Sequence, residues 1–138
     1  MGEGTWLDVV ATLQLPSQSS SAARARQFIS DFCSAAGLSK DLCQTAALIV
    51  SELVTNAVVH GRTSARIEVH RPQDVLRVAV RDDNEQLPEV GESPSPDAVA
   101  GRGMIIVNAL ADRWGVEASD GGKAVWFELR LDSRPDDD

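Results

Sequence analysis

The stretch SELVTNAVVHG, residues 51–61, decides how the chain is read. Its apolar residues recur at helical spacing, yet Glu52, Asn56 and His60 follow one another at steps of four. With ~3.6 residues per turn, Asn56 lies about 40° and His60 about 80° from Glu52 around the helix. Ala46, Ile49, Val50, Leu53 and Ala57 fill an arc of roughly 60° to 160° on the same projection, while Gln44, Ser51 and Thr55 lie on the far side. Glu52 and Asn56 therefore sit at the seam between core and solvent. A carboxylate at such a seam is partly desolvated and needs a partner. An Asn one turn on offers a carbonyl oxygen of the kind that ligates Mg²⁺. Two readings stand at this point: a base and a metal ligand facing one pocket, or the water-facing edge of an ordinary amphipathic helix.

Outward from this helix, Ser39 is placed to cap its start, Asp41 favours the dipole of its first turn, and Gly61 ends it,. The preceding AARARQFISDFCSAAG is a second amphipathic helix, with Phe28, Ile29 and Phe32 as its stripe and Gly37 as its stop,. Before it, Leu7, Val9, Ala11, Leu13 and Leu15 alternate as in a half-buried strand,. Downstream, ARIEVHR and VLRVAVRD alternate on either side of PQD and predict a β-hairpin,. Leu76, Val78 and Val80 share one face, and the alternation carries Asp82 to that same face,. An acid ending a core-facing row needs a donor: the exocyclic amine of a purine, or the local backbone N–H groups of a turn. Residues 85–100, with Pro88, Pro94 and Pro96, form a long loop of the kind that closes over a ligand,. Gly101 and Gly103 flank Arg102 before the helical GMIIVNALADRW, where backbone N–H groups can approach an anion,. The last strand, KAVWFELRL, sets Val125, Phe127, Leu129 and Leu131 on one face. The order β-α-α-β-β-loop-α-β predicts an α+β fold, a two-layer sandwich of a mixed, mostly antiparallel sheet with helices on one face.

The chain of 138 residues is long enough for one domain, with a core over about 7–131 and an acidic tail at 132–138,. Thirteen Lys and Arg against 21 Asp and Glu give a net charge of −8, which argues against general nucleic-acid or anionic-membrane binding,. No secretory signal is visible at the N-terminus, and Cys33 and Cys43 lack metal-ligand spacing,. A cytoplasmic protein with two reduced thiols is the expectation.

Taken together, these motifs resemble the histidine-kinase-like (Bergerat) ATP-binding domain shared by gyrase, the large heat-shock chaperone, histidine kinases and mismatch-repair ATPases. Within that family the likeness is to the small anti-sigma-factor serine kinases. ELVTNAVVHG is similar to the N box, VAVRDDNEQLP stands where the first glycine box belongs, GRGMIIVNALADRWG is similar to the second, and GGKAVWFEL to the closing strand. The resemblance implies Glu52 as general base, Asn56 as Mg²⁺ ligand and Asp82 as the adenine-reading acid. It implies ATP-binding positions at Asn56, His60, Asp82, Gly101, Arg102, Gly103, Met104 and Ala124. It also implies ATP and Mg²⁺ as cofactors, a sigma factor and an antagonist protein as partners, and a homodimer. The first glycine box departs from the family's Asp-x-Gly-x-Gly, with Asn84 and Gln86 at the glycine positions, and Ala124 stands where many relatives carry Thr. The alternative is therefore a catalytically weak module of the same fold that regulates transcription through protein contacts.

Overall fold

The computed structural model describes residues 9–84, 99–119 and 121–131. The expectations for Leu7, Gln86, the Pro-rich loop over 85–98 and the acidic tail lie outside the described residues.

Strand β1, Val9–Leu15, runs into helix α1, Ser21–Ala35, and α1 into α2, Lys40–Thr55. Gly37, at φ 76°, makes the reversal between the two helices; this left-handed conformation suits a residue without a Cβ,. Ser39 caps α2 as expected, its Oγ accepting from the Leu42 N–H at 3.2 Å,. Ala25, Ile29 and Cys33 of α1 are fully buried with Ala46, Ile49 and Val50 of α2 in one core. By length and composition the continuous helix from Lys40 to His60 could cross a bilayer, but half of that stretch is buried against its own domain, as in the core helix of a globular protein.

The hairpin forms as the alternation requires: β2, Ala65–His70, pairs antiparallel with β3, Val75–Asp82. Helix α3, Val99–Leu110, then leads into β4, Arg113–Ser119, and β5, Gly122–Arg130. The sheet order is β1-β2-β3-β5-β4, and every pairing in it is antiparallel. Two differences from the expected order matter. The third helix stops at Leu110, so Arg113 and Trp114 belong to a strand, and β4 is an additional element. Its cause is visible in the register: Trp114 and Val116 face the core beside Phe127 and Val125, while Arg113 and Glu117 face outward,.

The helices cover the face carrying Leu76, Val78, Val80, Val125, Phe127 and Leu129. The opposite face is a charged lattice. Arg77 and Arg113 both reach Glu128, Arg81 bonds Glu68 at 2.9 Å, and the two arginines Arg77 and Arg113 flank the Trp126 ring at 6.0 and 5.9 Å.

Cys33 reports on the α1–α2 seam. Burial, with Cys43 alongside, pushes its thiol up from 9.0 to about 12, Arg71 opposing weakly,. An acid whose folded pKa is raised loses its proton first in the unfolded chain. Its contribution to stability is thus complete below pH 9.0 and is lost as pH climbs toward about 12,. We expect Cys33 to resist a thiol-reactive disulfide in native protein at mildly alkaline pH, and Cys33→Ala to show a shallower loss of stability across that window in pH-resolved denaturant melts.

Candidate nucleotide and catalytic site

Helix α2 delivers Glu52 and Asn56 on successive turns and changes form between them. From Asn56 to His60 the backbone is a π-helix, closed by the Gly61 N–H donating to Asn56 O at 2.8 Å. Single π turns inside α-helices occur frequently at functional sites. The wider turn also settles His60. On a straight α-helical wheel it falls inside the apolar arc; in the structure it is exposed at the last position of the π segment.

Asn56 Oδ1 is buried and, among the described residues, has no hydrogen-bond partner. An unmet buried acceptor costs about 1–3 kcal/mol, a cost that is recovered when a ligand supplies the missing contact. Gly103, in the first turns of α3, lies against this amide: a Cβ at 103 would stand 2.9 Å from Asn56 Nδ2 and 3.3 Å from its Oδ1. Gly61 is as tightly held, since a Cβ there would meet Ala57 O at 2.9 Å and Asn84 Nδ2 at 3.1 Å. The end of α2, the start of α3 and the end of β3 thus meet around Asn56. Among the described residues no cluster of three or more His, Cys, Asp or Glu could hold a metal. A Mg²⁺ ion here fits the usual pattern of few protein ligands completed by phosphates and water, with Asn56 Oδ1 as the amide ligand.

Asp82 is buried at the end of the core-facing row of β3, as the alternation required. Its donors come from the chain itself. The Asn84 N–H donates to Oδ1 at 2.8 Å, and Lys123 Nζ lies 3.1 Å from Oδ1 and 3.0 Å from Oδ2. Lys123 Nζ also donates to Asn84 O at 3.2 Å. The reading in which local backbone satisfies this acid is therefore realised in part, and a buried cation supplies the rest. Asn84 does not occupy the left-handed region; among described non-glycine residues only Arg62 and Gln73 have positive φ.

Three sequence assignments shift. The register pairs Ala124 with Arg81 and Glu117, on the face opposite Asp82, so the residue sharing the Asp82 side at this level is Lys123. Met104 is fully buried in the core, so its side chain packs the fold. Gly101 and Arg102 lie inside the first turn of α3 instead of before it, and the Arg102 side chain is outside the described residues. Lys123 is the residue that sequence reasoning missed. The row of Leu129, Phe127 and Val125 extends by one more step of two to position 123.

The family model for the histidine kinase-like ATPase domain matches residues 15–129. The chain is 30% identical over 117 residues to the serine-protein kinase RsbW of Listeria innocua, spanning 73% of this chain and 74% of that relative. The crystal structure of the RsbU and RsbW domains of Rv1364c from Mycobacterium tuberculosis superposes with a TM-score of 0.67 over 91% of this chain at 20% identity, a likeness of fold. The present chain spans about a third of that longer protein, 34%. The matched span contains the whole Asn56 and Asp82 neighbourhood and the described sheet from Leu15 to Leu129, and the chain belongs to the histidine kinase-like ATPase domain family, in which it is similar to RsbW-type serine-protein kinases.

Proposed function

We propose that this chain is a regulatory protein serine/threonine kinase of the anti-sigma-factor type. It binds ATP with Mg²⁺, phosphorylates an antagonist protein and sequesters a sigma factor of RNA polymerase, acting as a homodimer. The observation that carries this reading is the buried, unpartnered Oδ1 of Asn56 beside Gly103, one helical turn beyond Glu52. A helix that only filled the core would not strand an amide oxygen at its seam. In this reading Glu52 accepts the proton of the substrate hydroxyl. Asn56 orients the phosphate end of the nucleotide, and the first turn of α3, with Gly101 in it and Gly103 just beyond, offers its unbonded backbone N–H groups to the phosphates,. Mg²⁺, when bound, neutralises charge on the phosphate oxygens.

Replacing Asn56 tests the assignment directly. Asn56→Ala should lower Mg²⁺-dependent ATP affinity by about 10–100-fold, the scale known for residues that only orient a metal's ligands. Its melting temperature should not fall, because an unsatisfied buried oxygen is removed. Titration of wild type and variant with a fluorescent ATP analogue, in Mg²⁺ and in chelator, gives the answer. Identical wild-type binding in both buffers removes Asn56 from metal binding.

A second reading has its own support. The Asp82–Lys123 pair and the absence of both glycines from the first glycine box favour a module that regulates by protein contacts, with nucleotide weakly held. A wild-type chain that captures a sigma factor yet transfers no phosphate to any antagonist supports that reading over the kinase.

A further inference from the structure

The buried acid at the end of β3 and the lysine facing it from β5 close on each other. The Asp82 side chain is 4% exposed and that of Lys123 9%. An ammonium has three hydrogens to donate, and here all of them have acceptors: Asp82 Oδ1, Asp82 Oδ2 and Asn84 O. The carboxylate in turn receives the ammonium on both oxygens and the Asn84 N–H on Oδ1. The ammonium has no hydrogen left to donate, and three of the roughly four lone-pair sites of the carboxylate are taken,. A donor arriving at Asp82 competes with a cation for a side chain that is almost wholly covered, and a charge-assisted bond to a cation is stronger than one to a neutral amine,. Separating the two charges would also leave each buried without its counterion.

We propose that Lys123 is a specificity-determining residue at the base end of the site: it covers Asp82, so the protein holds a purine nucleotide chiefly by its phosphates and does not read the exocyclic amine. This inference rests on the nucleotide-binding reading of Asn56 and Gly103 and adds to it a residue that the glycine-box comparison does not include. It also gives the altered first glycine box a physical consequence. Asn84 contributes its N–H to Asp82 and its carbonyl to Lys123, so the segment that would otherwise border the base serves instead to hold the ion pair.

The test compares two nucleotides that differ only at the amine: ATP and purine riboside triphosphate, titrated by calorimetry with Mg²⁺ present. Wild type should bind them within about threefold of each other, well under the tenfold or more that one charge-assisted hydrogen bond contributes. Lys123→Ala uncovers Asp82 and should prefer ATP by about tenfold or more. Lys123→Arg keeps the cover and should behave as wild type. Asp82→Asn placed in the Lys123→Ala background should reduce the regained preference. A wild-type protein that already prefers ATP by about tenfold, or a folded Lys123→Ala with no preference, overturns the proposal while leaving nucleotide binding intact. The wild-type comparison decides by itself if Lys123→Ala does not fold. Failure of either nucleotide to bind wild type or any variant sinks the nucleotide reading, and this proposal with it.

Discussion

Glu52→Gln is expected to slow phosphotransfer by ~10²–10⁴-fold, the usual contribution of a positioned general base, while leaving nucleotide binding near wild type. The two side chains have almost the same shape, so the helix should not notice the change. Glu52 sits on the last α-helical turn before the π segment, where its backbone oxygen accepts from the Asn56 N–H, and that bond is untouched by the substitution. What changes is chemical: an amide cannot take the proton of an attacking hydroxyl. Removing a negative charge near bound phosphates should if anything tighten ATP slightly. The proposed sigma-factor capture should persist if it depends on surface and not on turnover. The measurement is single-turnover phosphotransfer to a purified antagonist, beside a pull-down of the sigma factor. A Glu52→Gln protein as active as wild type would return Glu52 to the ordinary edge of an amphipathic helix.

The seam on which Glu52 and Asn56 sit was legible because it follows from helical geometry alone. Four of the five strands were legible for the same kind of reason, since each alternates against a buried face. The fifth, β4, alternates as well, with Trp114, Val116 and Ala118 on the sheet's inner side. The sequence nevertheless points to a helix end over Arg113 and Trp114, because MIIVNAL supplies a strong helical pattern that runs into it without a Pro or Gly to stop it. The Asp120–Gly121 pair in the sequence is the signal that could have found it, being a common two-residue hairpin connection,. Gly121 takes the positive φ of 75° that such a turn requires. The π segment was not legible, because one added residue in a turn leaves no mark on composition. The Asp82–Lys123 pair was hidden for a different reason. Alternation gives the side of the sheet on which each residue lies, but only the β3–β5 register tells which residues stand opposite one another,.

Gly122→Ala should be the most destabilising single methyl that this site can receive, at about 3 kcal/mol or more, the upper end for overpacking a site that cannot give. The added Cβ would fall on the carbonyl oxygen of Asp82 and stand 3.1 Å from Asp82 C and 3.1 Å from Asp83 Cα. Those are backbone atoms, held by the pairing of Asp82 with Lys123 in the β3–β5 ladder, so no rotamer change relieves the overlap. The strands must part at the level where the ion pair forms, and Asp82 must move relative to Lys123. The neighbouring glycine separates this cause from simple backbone strain. Gly121 has φ 75° and nothing within 4 Å of its added Cβ, so Gly121→Ala carries only the left-handed penalty of about 1–2 kcal/mol,. Gly37, at φ 76° and equally open, should match it. Thermal melts of the three alanine variants should therefore rank Gly122 well below the other two, with a drop of roughly 10 °C or more for Gly122→Ala. Because Asp82 and Lys123 would part, the same variant should change its relative affinity for ATP and purine riboside triphosphate, while Gly37→Ala keeps the wild-type ratio. Equal melting temperatures for Gly121→Ala and Gly122→Ala would mean that β5 does not approach Asp82 this closely. The cover over Asp82, and the register that places Lys123 there, would then have to be redrawn.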